Sequence, residues 1–254
     1  MNANVGSSST DEWDRHWRAY ADSNAQNPAQ AYRRALIFRA LDLPRAAPAQ
    51  VLELGCGQGE FSAELAHGYP QARVLGLDLS PVSVGVAQAR VARGRFLQQD
   101  LSQPLALPEE YRRWASHAVC SEVLEHLDDP LSALRNARAA LAPGARLVIT
   151  VPAGPMSAFD RHIGHRRHFT PERLRALLLA AGFQVEAVHG AGFPFFNLYR
   201  LTVVARGKRL IEDASGALPG SARAAIWAFS KLFRLNRSQS RRGWQLVAVA
   251  VEPR

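Results

Sequence analysis

Residues 51–60 read Val-Leu-Glu-Leu-Gly-Cys-Gly-Gln-Gly-Glu, and they restrict the fold more than any other stretch. An apolar run carrying Glu53 leads into three glycines at alternate positions, Gly55, Gly57 and Gly59. Helix-like residues follow from Phe61. The pattern predicts a buried strand, a tight turn and a helix N-terminus. Glycines there permit positive φ and a close approach of backbone to ligand. The helix behind them presents backbone N–H groups without intrahelical partners. Such a turn is a cradle for a small molecule.

The flanking sequence places the cradle in a sheet. Strands are expected at residues 73–77, 95–98, 118–121, 145–151, 183–189 and 245–252. Helices are expected at 29–41, 81–93, 130–141 and 170–181, with Ser80 and Pro81 opening the second and Thr170 and Pro171 the fourth. Repeated strand–helix alternation means a doubly wound, mainly parallel sheet with helices on both faces. Residues 1–10 read as a disordered lead-in. Residues 11–48 read as an N-terminal helical lid, residues 49–190 with 244–254 as the core, and residues 191–243 as a helical insertion before the last strand. Ligands of such sheets lie beyond the carboxyl ends of the strands. The polar residues expected there are Glu53 with the glycines, Asp78, Asp100, and Ser121 with Glu122.

The spacing of the glycines argues against a dinucleotide, whose fingerprint sets the third glycine one residue later. A carboxylate just before the turn also disfavours a pyrophosphate and suits a cation. An acid after the second strand can accept both hydroxyls of a ribose. An acid after the third can face an exocyclic amine. A ribose, an adenine and a positively charged head occur together in S-adenosylmethionine.

At these residues the chain resembles the class I S-adenosylmethionine-dependent methyltransferases, over residues 49–190 and the last strand. Glu53–Gly59 is similar to the first family motif, Gly76–Ser80 to the second and Gln99–Leu101 to the third. Ser121-Glu122-Val123-Leu124-Glu125-His126-Leu127 resembles the segment after strand four in the small-molecule branch that holds ubiquinone-type O-methyltransferases. The resemblance implies a seven-stranded, Rossmann-like sheet in the order 3-2-1-4-5-7-6 with the last strand antiparallel. It implies that Glu53, Gly55, Cys56, Gly57 and Gly59 border the methionine part of the cofactor and that Asp78 holds the ribose. Leu79 would pack on adenine, Asp100 and Leu101 would lie at the adenine end, and Ser121 and Glu122 would complete the site.

Methyl transfer from a sulfonium asks mainly for alignment and removal of one proton. Residues 160–170, Asp-Arg-His-Ile-Gly-His-Arg-Arg-His-Phe-Thr, follow the fifth strand and crowd three histidines and three arginines together. Imidazole is the side chain most easily tuned to take a proton near neutral pH. His165 is the expected general base and His126 the second candidate; His162 and His168 read as solvated or structural. Trp17 and Tyr20, on one face of an N-terminal helix with Trp13, and Arg161 with His162 are expected at the acceptor. The histidine spacing comes without a carboxylate-rich partner set, so no metal is expected.

Net charge is +9, and ten Lys/Arg against two acids fall between Arg200 and Arg242. The basic balance therefore belongs to one late segment. The segment after strand four lacks the Pro-Pro-aromatic signature of nucleobase methyltransferases, so nucleic acid is not the expected partner. Within residues 222–235, Ile226, Phe229 and Phe233 share one helical side, while Arg223, Lys231 and Arg234 lie on another with Trp227 at their edge. Three readings stay open for this amphipathic helix: a buried lid or homodimer contact, a peripheral contact with an anionic membrane, and a site for an anionic substrate. Two cysteines, no apolar leader and no long apolar run make the cytoplasm the expected compartment, with a membrane-peripheral position left open. The expected activity is O-methylation of a small molecule, including lipid-linked, isoprenoid or natural-product acceptors. N- or C-methylation and a non-catalytic cofactor-binding protein are the alternatives.

Overall fold

The computed structural model describes residues 27–45, 47–213 and 220–254. The expected lead-in and the face carrying Trp13, Trp17 and Tyr20 lie outside them. Seven strands form one sheet: β1 (Ala49–Leu54), β2 (Ala72–Asp78), β3 (Arg95–Gln98), β4 (Ala115–Ser121), β5 (Leu141–Pro152), β6 (Gln184–Ala191) and β7 (Gln245–Val251). Their order is β3-β2-β1-β4-β5-β7-β6. The first five pair with one another in parallel, and β7 runs antiparallel to both β5 and β6. This is the strand order, with an antiparallel last strand, that the resemblance implied.

Alternation along the strands separates two cores. Leu52, Leu54, Leu75, Leu77, Ala118, Cys120, Leu147 and Ile149 face one side. Val51, Val74, Val119, Val148 and Val247 face the other. The first face is covered by α4 (Pro130–Ala137) and α6 (Pro171–Ala180), through Leu134, Leu174 and Leu178. The second is covered by α1 (Pro28–Leu41), α2 (Glu60–Gly68) and α3 (Pro81–Arg90), through Leu36, Ile37, Phe61, Leu65 and Ala87. Four helices open the same way. Asn27, Ser80, Asp129 and Thr170 each accept a hydrogen bond from a first-turn N–H, and a proline follows. The side chain satisfies an orphan donor, and proline removes another while presetting φ.

Several boundaries differ from the sequence reading. β4 starts at Ala115 and β5 at Leu141, because these two residues pair ahead of a register shift. That ends α4 early, at Ala137, with a 3-10 turn over Arg138–Ala140. The third helix stops at Arg90, where the Val91 N–H closes on Ala87. A short helix, α5 (Ala158–His162), was not expected. Its signal is local: Ser157 and Asp160 form a reciprocal capping box.

The insertion holds α7 (Phe195–Asp213), bent at Gly207, then α8 (Gly220–Leu232) and a 3-10 turn, Phe233–Leu235. Phe196 and Phe233 are buried with Ala29, against Tyr32, Tyr199 and Phe229. The apolar side of the amphipathic helix is thus packed onto α1 and α7.

Candidate active site

The glycine turn is fastened to its neighbour strand. Gly55 and Cys56 donate their N–H groups to the Leu77 carbonyl at 2.8 and 3.0 Å. All three glycines have positive φ, 72°, 50° and 79°. Two of them also make room. A Cβ on Gly55 would sit 2.3 Å from Val123 Cγ2, and one on Gly59 would sit 3.0 Å from the Ala87 Cβ. The first lets the segment after β4 close onto the turn; the second lets α2 start against α3. Gly59 is the N-cap of α2 and supplies no side-chain acceptor, so the N-terminal amides face the turn.

Carboxylates surround this cradle. Asp78, at the end of β2, accepts from Gly57 N at 2.8 Å and Ser80 N at 3.0 Å. Asp100 follows β3 and accepts from the Ser102 N–H and hydroxyl at 2.9 and 2.7 Å. Leu79 is half-buried and Leu101 is buried. Glu53 is buried in β1 and accepts from the Ser62 hydroxyl of α2. Burial pushes its pKa up to about 8 against the pull of that hydrogen bond, and the charges of Glu60 and Asp78 push the same way. Burial also raises the Cys56 thiol, which keeps it from being a nucleophile. An acidic, buried cradle with open glycine backbone fits a nucleoside with a cationic end: a positive charge beside Glu53 would offset the burial, and the lesser repulsion by Glu60 and Asp78, that hold its proton on.

Across the Val123 contact lies a histidine cluster. The His126 and His165 rings meet edge to face with centroids 4.7 Å apart. His165 Nδ1 lies 3.3 Å from His168 Nε2, and His168 Nδ1 lies 3.0 Å from the Gly154 carbonyl. Burial lowers the His165 pKa to about 3, with the His126 imidazole adding and Asp160 opposing. Burial lowers His168 too, against the Gly154 hydrogen bond and Asp160. Glu125 is fully buried, and apart from its own backbone N–H its carboxyl has no hydrogen-bond partner among the described residues. Burial, then Glu122, raises its pKa well above the carboxylate range.

The fold brings carboxylates to the histidines, which spacing alone did not. Glu125, His126 and His165, and separately Asp160, His165 and His168, have ligand-type atoms within 4.8 Å of one another. Cation binding would have to displace Arg200 from Asp160 or a proton from Glu125. Asp160 takes Arg200 bidentately at 3.1 and 2.8 Å and also accepts from Ser157 N and Oγ. Burial raises its pKa, but these partners outweigh burial and bring it down to about 2.

The other expected residues divide. Ser121 meets the Thr150 hydroxyl at 2.8 Å. Glu122, held at φ 55°, pairs with Arg33 of α1 at 3.0 Å and accepts from Gln245 of β7 at 2.8 Å and from Thr150 at 3.2 Å. Arg161 and His162 are exposed on α5. Arg166 and Arg167, counted among the loop arginines, donate to the carbonyls of His126 and Asp128. Sequence reasoning missed Arg33, Arg200 and Gln245. A lone arginine in the apolar stretch around Tyr199 and a lone glutamine opening an apolar strand were visible; nothing singled out Arg33. A cleft of about 580 Å³ lined by Asp42, His117, Arg146, Glu186, Glu252 and Arg254 lies where β4 and β5 begin, at the opposite edge from the cradle. Doubly wound sheets bind ligands at the carboxyl ends, so the geometry of the cradle outweighs the size of this cleft.

A family model described as a methyltransferase domain matches residues 26–188. Trans-aconitate 2-methyltransferase of Methylobacterium nodulans is 36% identical over 110 residues, 43% of this chain and 41% of that enzyme. The match thus spans less than half the length of that relative. Ubiquinone biosynthesis O-methyltransferase of Aeromonas salmonicida is 30% identical over 173 residues, 60% of this chain and 70% of that enzyme. The solved structure of Haemonchus contortus phosphoethanolamine N-methyltransferase 2, with phosphomonomethylethanolamine and S-adenosylhomocysteine, has a TM-score of 0.64 over 96% of this chain and 60% of that one. At 19% identity that likeness is one of fold.

Proposed function

The chain belongs to the methyltransferase-domain family, and on that premise we propose that it moves the methyl group of S-adenosylmethionine to an oxygen of a small-molecule acceptor. Bound in the cradle, the cofactor supplies an electrophilic methyl on a sulfonium. Glu53 and Asp78 orient its cationic and ribose parts, Gly55, Cys56, Gly57 and Gly59 admit it close to the backbone, and Leu79, Asp100 and Leu101 hold the adenine end. Ser121 and Glu122, bonded to Thr150, Arg33 and Gln245, complete the wall after β4.

One observation carries the reading. Val123 fills the space that Gly55 leaves, so the segment bearing His126, and His165 with it, starts at the rim of the cradle. Burial keeps His165 neutral and its lone pair free. It also makes the ring a weak base, which suffices because a hydroxyl becomes strongly acidic as its oxygen gains the methyl, whereas a nitrogen lone pair needs no base. His165 takes the proton, and His126 packs on it. Trp17, Tyr20, Arg161 and His162 are assigned to the acceptor side, and the N-terminal stretch to a lid. The ubiquinone-type relative favours oxygen and a hydrophobic acceptor. The exposed basic and apolar side of the insertion favours a peripheral contact with an anionic membrane.

Calorimetry with S-adenosylhomocysteine tests the premise. The wild-type chain is expected to bind, and Gly57→Val, which forces a branched side chain into left-handed backbone under Asp78, is expected to show no heat. Absence of binding by the wild type refutes the reading. Native mass spectrometry of the purified protein is the direct route to a co-purified acceptor.

A further inference from the structure

The hydrogen bonds around His168 determine which nitrogen of His165 is available. A backbone carbonyl only accepts, so the Gly154 contact at 3.0 Å places a hydrogen on His168 Nδ1. Neutral His168 then has a bare Nε2. Its neighbour at 3.3 Å is His165 Nδ1, which must carry hydrogen to make the bond. His165 is left with a bare Nε2, the one ring nitrogen able to take a proton. Beyond the pair, His168 Nε2 is 3.8 Å from a carboxylate oxygen of Asp160, itself held by Arg200 of the insertion.

We propose that His168 is a positioning residue that sets the His165 tautomer and relays its proton, resting on the reading of His165 as the base. The step balances. The acceptor oxygen forms its bond to the methyl carbon as the carbon–sulfur bond breaks and its electron pair stays on sulfur. The acceptor hydroxyl proton goes to His165 Nε2, and the Nδ1 proton of His165 crosses to His168 Nε2, beside Asp160. A buried imidazole would otherwise keep a charge in a site with little water; the relay moves that charge toward a carboxylate. Arg200 tempers this, because its own positive charge already sits on Asp160. The groups facing the pair are His126 and the buried Glu125 carboxyl after β4, Asp160 on α5, Arg200 on α7 and, toward His168, Glu122.

The test needs no acceptor. Long-range hydrogen–nitrogen correlation spectra of the full chain, labelled with 15N-histidine, report the tautomer of each neutral ring, with His165 assigned by its loss in His165→Gln. Wild type is expected to show His165 as the single Nδ1–H tautomer near pH 7.5. His168→Leu is expected to lose that single tautomer and show a mixture. His168→Gln, whose amide oxygen can accept the same bond and whose NH2 can reach Gly154, is expected to restore it. An Nε2–H signal for His165 in the wild type overturns the proposal without any variant. So does an unchanged signal in a folded His168→Leu. Since S-adenosylhomocysteine binding is measured separately, a wrong tautomer in a chain that binds it sinks the relay alone. A chain that fails to bind it sinks the function instead.

Discussion

A carboxyl group inside a sheet, as at Glu53, keeps a proton that the unfolded chain would release. Its pKa is about 8 in the folded protein against an ordinary value near 4.5. Between those values the native state holds the extra proton, so this group's contribution to stability is full below about pH 4.5 and is lost as pH rises to about 8. Glu53→Gln keeps the Ser62 bond and removes the titration. It is expected to flatten the fall in stability between pH 5 and 8, by up to about 4 kcal/mol at about 1.4 kcal/mol per unit. Thermal unfolding of both proteins across that range measures it; parallel curves would show that Glu53 is ionised in the free protein. With Glu53 at the cofactor's cationic end, as proposed, binding is expected to release its proton, with affinity tightening as pH rises toward 8. Calorimetry in buffers of different ionisation heat reads the released proton.

Elements are held to one another by polar contacts that cross the sheet edges. Arg200 ties α7 of the insertion to Asp160 of α5, two residues before His162 and five before His165. Removing one partner of a buried pair leaves a charge without compensation, at about 3–5 kcal/mol. Arg200→Met is therefore expected to lower the unfolding midpoint in denaturant, and the double variant with Asp160→Asn to recover much of the loss. Because the Asp160 pKa is depressed to about 2, its contribution is present above about pH 4 and disappears as pH falls toward 2. A cost that is the same at pH 2 and pH 7 would assign the effect to packing instead. The helix caps act more locally. Asp129→Ala removes the oxygen that accepts from two N–H groups of α4 and is expected to lower the unfolding midpoint by less than Arg200→Met does in the same measurement.

At the scale of the molecule, charge and apolar surface are both uneven. The late segment between Arg200 and Arg242 carries nearly all of the net positive charge. Its aromatic side is spent on packing against Tyr32, but Leu198, Leu201, Trp227 and Leu235 remain exposed, Trp227 at 65%. Lys231 and Arg234 are exposed beside them. Among the described residues no helix is long and apolar enough to cross a membrane. Bases near an anionic surface attract it by about 1 kcal/mol each, and exposed indole prefers the interface. Flotation with anionic vesicles is expected to carry the protein up at low salt and release it at high salt, with Trp227→Ser weakening the association. Absence of salt-sensitive flotation with anionic vesicles would remove the membrane contact and leave the insertion as a packed cover.

What the sequence determined by itself is the set of features whose cause is local. Alternating apolar residues, glycines that must take positive φ and acids at strand ends specify a cradle at one edge of a parallel sheet. The proline-led caps mark where its helices start. The family resemblance supplied strand order, which periodicity cannot. Only the tertiary structure decided what each polar group at the site faces. Glu122 meets Arg33 and Gln245, Asp160 meets Arg200, and His165 meets His168, whose ring is aimed by the Gly154 carbonyl. The first two contacts join residues 40 to 123 positions apart, brought together by helices docking on the sheet. The third joins neighbours in a loop whose path no periodic pattern describes. Burial then sets their protonation, and burial belongs to the assembled molecule rather than to any segment of it.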